Sequence, residues 1–322
     1  MPNSIASSGV RHLEIASNYV GQRLDNFLLR ELKGVPKSLI YRIVRKGEVR
    51  LNGGRVQPDR RLQIGDVLRI PPMRLTERED QPFRLSPGLA ERLQAAVLYE
   101  DREILVLNKP AGLAVHKGSG VDYGVIEALR ALRPHEPFLE LAHRLDRDTS
   151  GCLALAKTAA ALRLIQDAFR IGHVEKRYLA LVRGYWNHGP REVDLPLRRN
   201  LLRGGERMVE VMDDGKPAQT RFSPVSLFKL ASLLEVRIAT GRTHQIRVHA
   251  AHLDHPLAGD DKYGDVGFNR IIEEQCDLHR LFLHAHSLSL PLGGRDIAVS
   301  APLDAELKAV LDHLQPAGRR RD

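Results

Sequence analysis

His143-Arg144-Leu145-Asp146-Arg147-Asp148-Thr149-Ser150-Gly151 follows directly on the mostly apolar run Phe138-Leu139-Glu140-Leu141-Ala142. The run reads as a strand, so the nonapeptide reads as the loop at a strand end, where a rigid scaffold presents a reactive group. Asp146 lies between Arg144 and Arg147. Flanking cations hold a carboxylate ionised, the form that a nucleophile or an electrostatic catalyst requires. The same arrangement also suits an Asp that caps a turn and pairs with Arg for structure alone.

Outward from this loop, the strand candidates are Ile104–Leu107, Phe138–Ala142, Cys152–Ala156, Tyr178–Val182, Leu233–Ala239 and Leu281–Leu290. They mix irregularly with helix candidates Val125–Leu132, Thr158–Phe169, Thr243–His252 and Leu303–Leu314. Without a regular βαβ rhythm, residues 95–315 are expected to form an α+β domain on a mixed, mainly antiparallel sheet. No repeat of solenoid length is present.

A smaller unit precedes it. Leu24, Phe27, Leu28 and Leu32 give a helical apolar face ended by Gly34. Pro36 opens a second helix with Ile40, Ile43 and Val44 on one face, Lys37, Arg42, Arg45 and Lys46 on the other, and Gly47 as its stop. Asn52-Gly53-Gly54 between Val49-Arg50-Leu51 and Arg55-Val56 is a hairpin signal. Residues 1–18 read as a flexible leader, 19–75 as this small domain, 76–94 as a charged, Pro-containing linker and 316–322 as a basic tail.

Composition narrows the function. Apolar residues make up 43% and charged residues 28% of 322 positions, the make-up of a globular protein long enough for two domains. Two cysteines far apart, Cys152 and Cys276, suggest no disulfide or metal framework and fit a reducing compartment. The first seventeen residues have no apolar core of a signal peptide, and no run is long enough to span a bilayer, so a cytoplasmic location is expected and no membrane partner. Residues 19–75 carry thirteen Lys and Arg against five Asp and Glu, a net of +8 out of +9 for the whole chain. Charge concentrated in one short segment is the footprint of a phosphate-backbone binder. No exposed apolar stripe suggests an interface between copies, so a monomer is expected.

The helix–helix–hairpin layout, with Gln22-Arg23-Leu24-Asp25, Leu51-Asn52-Gly53 and Ile64-Gly65-Asp66, resembles the S-four-type RNA-binding module. Four further segments of the large domain stand out beside the opening nonapeptide. They are Asn108-Lys109-Pro110-Ala111-Gly112, Lys176-Arg177-Tyr178-Leu179-Ala180, Thr240-Gly241-Arg242-Thr243-His244-Gln245-Ile246-Arg247 and His255-Pro256-Leu257-Ala258-Gly259-Asp260. In this order and spacing they resemble the pseudouridine synthases of the large-subunit rRNA family, over roughly residues 19–315.

The resemblance implies an isomerase that breaks the uridine N1–C1′ bond, turns the uracil and rejoins it through C5. By that likeness Asp146 is the catalytic carboxylate, Tyr178 an active-site ring that stacks on uracil or shuttles the C5 proton, and Arg247 the arginine that pairs with Asp146. Arg144 interacts with RNA around a flipped nucleotide, Arg242 contacts RNA phosphate, Lys109 contacts phosphate or supports the loop before His116, and Leu145 and Ile246 wall the uracil pocket. The second helix and hairpin face RNA, and 23S ribosomal RNA, free or in an assembling subunit, is the implied partner. His244, His249, His252 and His255 lie within twelve residues. Without a clear third ligand they are read as polar and RNA contacts, with no metal. Isomerisation needs no redox change, so no cofactor is implied. Lys117 and Cys152 depart from the usual pattern at the rim and in the core. The competing readings are a synthase for tRNA or another rRNA, a non-catalytic rRNA-binding assembly factor, and a hydrolase built on the aspartate and histidines.

Overall fold

A computed structural model describes residues 9–16, 19–32, 35, 37–72, 85–117, 123–187, 189–201 and 207–317. The chain divides into two compact units, Met1–Phe83 and Arg84–Asp322.

The first unit runs β1 (Arg11–Glu14), α1 (Leu24–Glu31), α2 (Lys37–Arg45), β2 (Arg50–Leu51), β3 (Gly54–Arg55) and β4 (Val67–Ile70), with an antiparallel sheet in the order β1-β4-β2-β3. The two-residue Asn52-Gly53 turn has positive φ at both positions, as a tight hairpin of matching twist requires. Phe27 and Leu28 of α1 and Ile40, Ile43 and Val44 of α2 meet Leu51, Leu68 and Ile70 in one core. The helices are also joined by a polar contact: buried Asp25 accepts from the Arg23 guanidinium (2.8 and 3.1 Å) and the Tyr41 hydroxyl (2.9 Å). The Arg23 hydrogen bonds hold the Asp25 pKa down at about 2, against the upward push of burial. Arg42, Arg45 and Lys46 are exposed. The Lys37 side chain and Gly34 lie outside the described residues.

The second unit contains α3 (Pro87–Ala95), β5 (Val97–Glu100), β6 (Ile104–Lys109), α4 (Val125–Leu132), β7 (Glu140–Leu141), β8 (Ser150–Ala156), α5 (Ala159–Arg170), β9 (Glu175–Arg183) and β10 (Arg191–Asp194). It continues with β11 (Leu197–Leu201), β12 (Arg207–Val211), β13 (Gln219–Leu227), β14 (Ala231–Ile238), α6 (Gln245–His252), α7 (Val266–Cys276), β15 (Leu283–Leu292), β16 (Arg295–Ser300) and α8 (Ala305–His313). One sheet follows the path β10-β13-β14-β9-β15-β8-β6-β5, with β16 beside β15 and β7 beside β8. Among the described residues every strand pairing is antiparallel except β8 with β15, where Ser150 and Gly151 lie beside His284 and Ala285. The expected α+β class with a mixed, mainly antiparallel sheet is therefore the observed one. β11 and β12 form a separate hairpin.

Helix packing follows side-chain size and spacing. Thr158 caps α5 by accepting from the Ala161 amide (3.1 Å), and Ala161, Ile165 and Ala168 then fall on one face against Ile104, Val106 and Ala154. In a second cluster Phe268 and Ile272 of α7 and Leu307 and Val310 of α8 pack with Leu181 and Leu233.

Several sequence expectations need correction. Arg11–Glu14, inside the expected leader, is β1, paired along its length with β4. Within the expected linker, Ser86-Pro87 is the start of α3: the Ser86 hydroxyl accepts from the Leu89 amide (3.4 Å) and Pro87 takes a first-turn position. Residues 73–84 and 318–322, the rest of the expected linker and most of the tail, lie outside the described residues. Phe138–Ala142 contributes only the two-residue β7, and α6 begins at Gln245 because His244 has a left-handed backbone, φ 54°.

The parallel seam depends on Gly151. Its φ is +107°, and an added Cβ would lie 2.3 Å from the Ala285 carbonyl oxygen. Gly151→Ala is expected to lower the unfolding free energy of this domain by about 3 kcal/mol or more, from combined strain and overpacking. Urea titration checks this, and an unchanged midpoint would contradict the close approach.

Candidate active site

The site is built where β6 ends and β8 begins. Lys109 closes β6 opposite Gly151 of β8, and its side chain is fully buried. Its ammonium donates to the carbonyls of Pro110 (2.8 Å), Leu113 (2.9 Å) and Arg147 (2.9 Å). All three N–H donors are thus used, and they tie the Pro110–Leu113 turn to the loop that carries Asp146. Burial pulls the Lys109 pKa down to about 7, against the carboxylates of Asp148 and Asp146. The phosphate-contact alternative for Lys109 is therefore corrected: a group enclosed by carbonyls has no donor left for RNA. Across the seam, the Ser150 hydroxyl donates to His284 Nδ1 (2.9 Å), and His284 Nε2 donates to the Ala301 carbonyl (3.1 Å).

A cleft of about 800 Å³ opens above this loop, walled by residues that include Arg144, Asp146, Arg147, His244, Arg247, Lys262 and Arg280. It adjoins a small recess of about 60 Å³, lined among others by Asp146, Tyr178, Ile246, Arg247 and Leu283. Arg144, Leu145, Asp146, His244 and Arg247 border both. Three motifs far apart in sequence, around residues 146, 178 and 247, are thus brought to one hole in the surface. Leu145 and Ile246 are buried and wall it. Arg144 and Arg242 stand at its edge, exposed.

Tyr178 comes from β9 and is 6% exposed. Burial, and then the charge of Asp146, push its phenol pKa far above the usual tyrosine value. At neutral pH it is a protonated phenol, a ring surface and a donor rather than a base. Neither its hydroxyl nor the Asp146 carboxylate makes a hydrogen bond or ion pair with another described side chain. Both are left available to a substrate.

Arg247 differs from expectation. Its direct partner is not Asp146 but Asp260, held through Nε (2.7 Å) and Nη2 (2.6 Å), with side-chain exposures of 6% and 0%. Asp260 also accepts from the amides of Lys262 and Tyr263 (both 2.9 Å). Burial raises the Asp260 pKa, but the Arg247 hydrogen bonds and charge outweigh it, so the net shift is downward. The Arg247 guanidinium is thereby fixed as a cation beside the recess, and Asp146 feels it through space. The reason is geometric: a two-point carboxylate one loop away satisfies the guanidinium fork, and Asp146 is then free.

His244 accepts a hydrogen bond at Nδ1 from the Tyr263 hydroxyl (2.9 Å), which itself accepts from the Val209 amide (2.9 Å). Burial lowers the His244 pKa. Buried His249 donates from Nε2 to the Leu195 carbonyl (3.0 Å), and His255 donates to the Arg183 carbonyl (2.7 Å). Among the described residues no three His, Cys, Asp or Glu side chains are grouped to hold a metal ion.

Sequence reading missed Asp260, Gln245 and Tyr263. Gln245 accepts from the Thr240 hydroxyl (2.8 Å) and the Arg242 amide (3.0 Å), and donates to Gln219 (2.8 Å), so it sets the turn before α6. Their motifs were visible, but nothing in the chain tells which of Asp146, Asp260 and Asp261 meets Arg247.

Replacing Lys109 with Met strands three carbonyls under the Asp146 loop. The expected loss is about 2–4 kcal/mol of stability, with faster amide exchange at Thr149 and Ser150. Unfolding and hydrogen-exchange measurements that match the parent would refute the clip.

Comparison with known proteins agrees with this geometry. Residues 103–252 match the family model of RNA pseudouridylate synthase, and residues 22–68 match that of the S4 domain. The chain is 51% identical over 313 residues to ribosomal large subunit pseudouridine synthase C of Haemophilus influenzae, covering 97% of each chain. It is 50% identical to the protein of that name in Escherichia coli K12, covering 96% of this chain and 98% of the relative. Among solved structures, human RNA pseudouridylate synthase domain containing 1 aligns with a TM-score of 0.60 and 28% identity over 72% of this chain and 92% of the human one. A fold with the same family's architecture, an RNA-binding module at its N-terminus, and 51% identity along nearly the whole of a curated relative lead to one conclusion: this chain belongs to the RNA pseudouridylate synthase family and is an isomerase acting on RNA.

Proposed function

We propose that this protein converts specific uridines of 23S ribosomal RNA to pseudouridine, with Asp146 as the catalytic carboxylate. The observation that carries the reading is the recess itself, where an unpartnered Asp146 carboxylate, the Tyr178 ring and the Arg247 cation border one small hole. The large-subunit target is supported by end-to-end similarity to relatives whose names state it. The reading also takes residues 19–75 as an RNA-binding domain, and a single cytoplasmic chain as the working form.

The reaction conserves its atoms. The N1–C1′ bond breaks, C5–C1′ forms, the C5 proton leaves, and N1 gains a proton. Inside an RNA helix the base is out of reach, so it must leave the stack to enter the recess, and Arg144 at the mouth is suited to fill the gap or hold the backbone. Asp146 then attacks the nucleotide or stabilises positive charge developing at C1′, roles that both need an ionised group. Arg247, held by Asp260, places a cation beside the same recess. The Tyr178 ring packs on uracil, and its protonated phenol donates to the turning base. Leu145 and Ile246 exclude water.

Two substitutions test these roles. Asp146→Asn is expected to remove turnover while leaving RNA affinity within about twofold, and Tyr178→Phe to lower kcat about 10²-fold with KM little changed. Unmodified 23S rRNA is incubated with each protein, and pseudouridines are mapped by carbodiimide labelling and primer extension. New stops at a few uridines with the parent and none with Asp146→Asn support the proposal. Equal stops from both remove Asp146 from its role. No stops on free rRNA or assembling subunits, with activity on tRNA, would move the substrate.

A further inference from the structure

The turn Gly241-Arg242-Thr243 borders the catalytic recess on one side and a second cavity on the other. This second cavity, about 460 Å³, is lined by β11 with Arg198 and Arg199, by the Asp214-Gly215-Lys216 turn, and by Arg242. Its charge is lopsided: four cations face one carboxylate among the lining residues. That carboxylate, Asp214, is already paired with Arg198. Arg199 is anchored by a hydrogen bond to the Thr243 hydroxyl (2.8 Å), and Arg242 by Nε to the Pro217 carbonyl (3.0 Å). The terminal nitrogens of Arg242 and the Lys216 ammonium make no hydrogen bond or ion pair with a described residue. The Lys216 backbone is fixed by a reciprocal pair of hydrogen bonds with Leu197 (2.9 Å each), so its ammonium springs from a rigid base.

Cations gathered around a concave surface, with donors unspent, suit a doubly charged or delocalised oxyanion. Every nucleotide in a strand carries a phosphate on each side of its sugar. A nucleotide whose base enters the recess must lead one of them past the shared turn.

We propose that Arg199, Lys216 and Arg242 form a phosphodiester subsite, which holds the RNA backbone beside the target uridine. This rests on the reading above that the recess receives a uridine of RNA. The subsite lies in the catalytic unit and acts on the strand that reacts, so its loss weakens substrate capture without touching the chemical step. Lys216 borders the second cavity and not the recess, which makes it the position to change.

The test uses the full chain carrying Lys216→Glu or Lys216→Arg, and a short single-stranded RNA that contains a modified uridine site. Kd is read by fluorescence anisotropy, and kcat and KM by pseudouridine formation. Lys216→Glu is expected to raise Kd and KM about tenfold, keep kcat within twofold and lower the salt dependence of binding, whereas Lys216→Arg retains parental values. One neutral methylphosphonate beside the target should weaken parental binding similarly and add little to Lys216→Glu. Parental affinity in Lys216→Glu, or a methylphosphonate effect that adds in full to it, overturns the subsite. A parent that binds this RNA but forms no pseudouridine on any RNA would instead refute the proposed function, and the Kd comparison would still decide the subsite.

Discussion

Three carbonyl oxygens converge on one buried ammonium, and the place of the Asp146 carboxylate depends on it. Lys109 ends β6 and spends its three donors on Pro110, Leu113 and Arg147, one residue beyond Asp146. A buried charge of this kind is tolerated only when its donors are satisfied, so the two loops it joins cannot drift apart without exposing a large desolvation cost. Gly151 acts at the same point through sterics. It lets β8 approach β15 closely enough for the sheet's parallel pair to form. The Asp146 loop leaves from the start of that pair, and its position is thus fixed from below by backbone contact and from the side by Lys109.

The electrostatics of the recess follow from a division of labour between two aspartates. Asp260 takes both ends of the Arg247 fork, is fully buried and accepts from two further backbone amides. Asp146 keeps its lone pairs, with the Arg247 cation beside the same recess. Such an arrangement holds positive charge beside the recess while leaving the Asp146 carboxylate without a side-chain partner, and a preorganised charge of this kind needs no reorganisation to act. Tyr178 complements it: burial beside a carboxylate keeps the phenol protonated, which suits a group that supports a moving base.

Much of this was legible in the chain. α4 occupies the predicted Val125–Leu132, because its apolar spacing is strong and Gly124 and Arg133 bracket it. The strands bearing Leu105, Ala154 and Ala180 were visible as apolar runs, being buried on both sides. β10, with Arg191, Glu192 and Asp194 around a lone buried Val193, was not, since an exposed edge strand looks like a loop. α7 escaped although Asp265 caps it, because the preceding loop drew the pattern toward a turn. In the site, the residues that border the recess carried recognisable motifs. Those that hold them in place did not, since the choice of Asp260 over Asp146 as partner of Arg247 is made by loop geometry. Lys109 shows the same limit: a lysine in a loop motif reads as a surface charge until its burial is known.

The most direct test is a structure of the protein bound to an RNA fragment whose target uridine carries fluorine at C5, where loss of the C5 proton is blocked and the bound species persists. The account predicts the base out of its stack and inside the recess, its ring on Tyr178, with an Asp146 oxygen about 3–3.5 Å from C1′ or the uracil ring, or bonded to it. A base left stacked in the RNA, or bound elsewhere with Asp146 facing solvent, would contradict it.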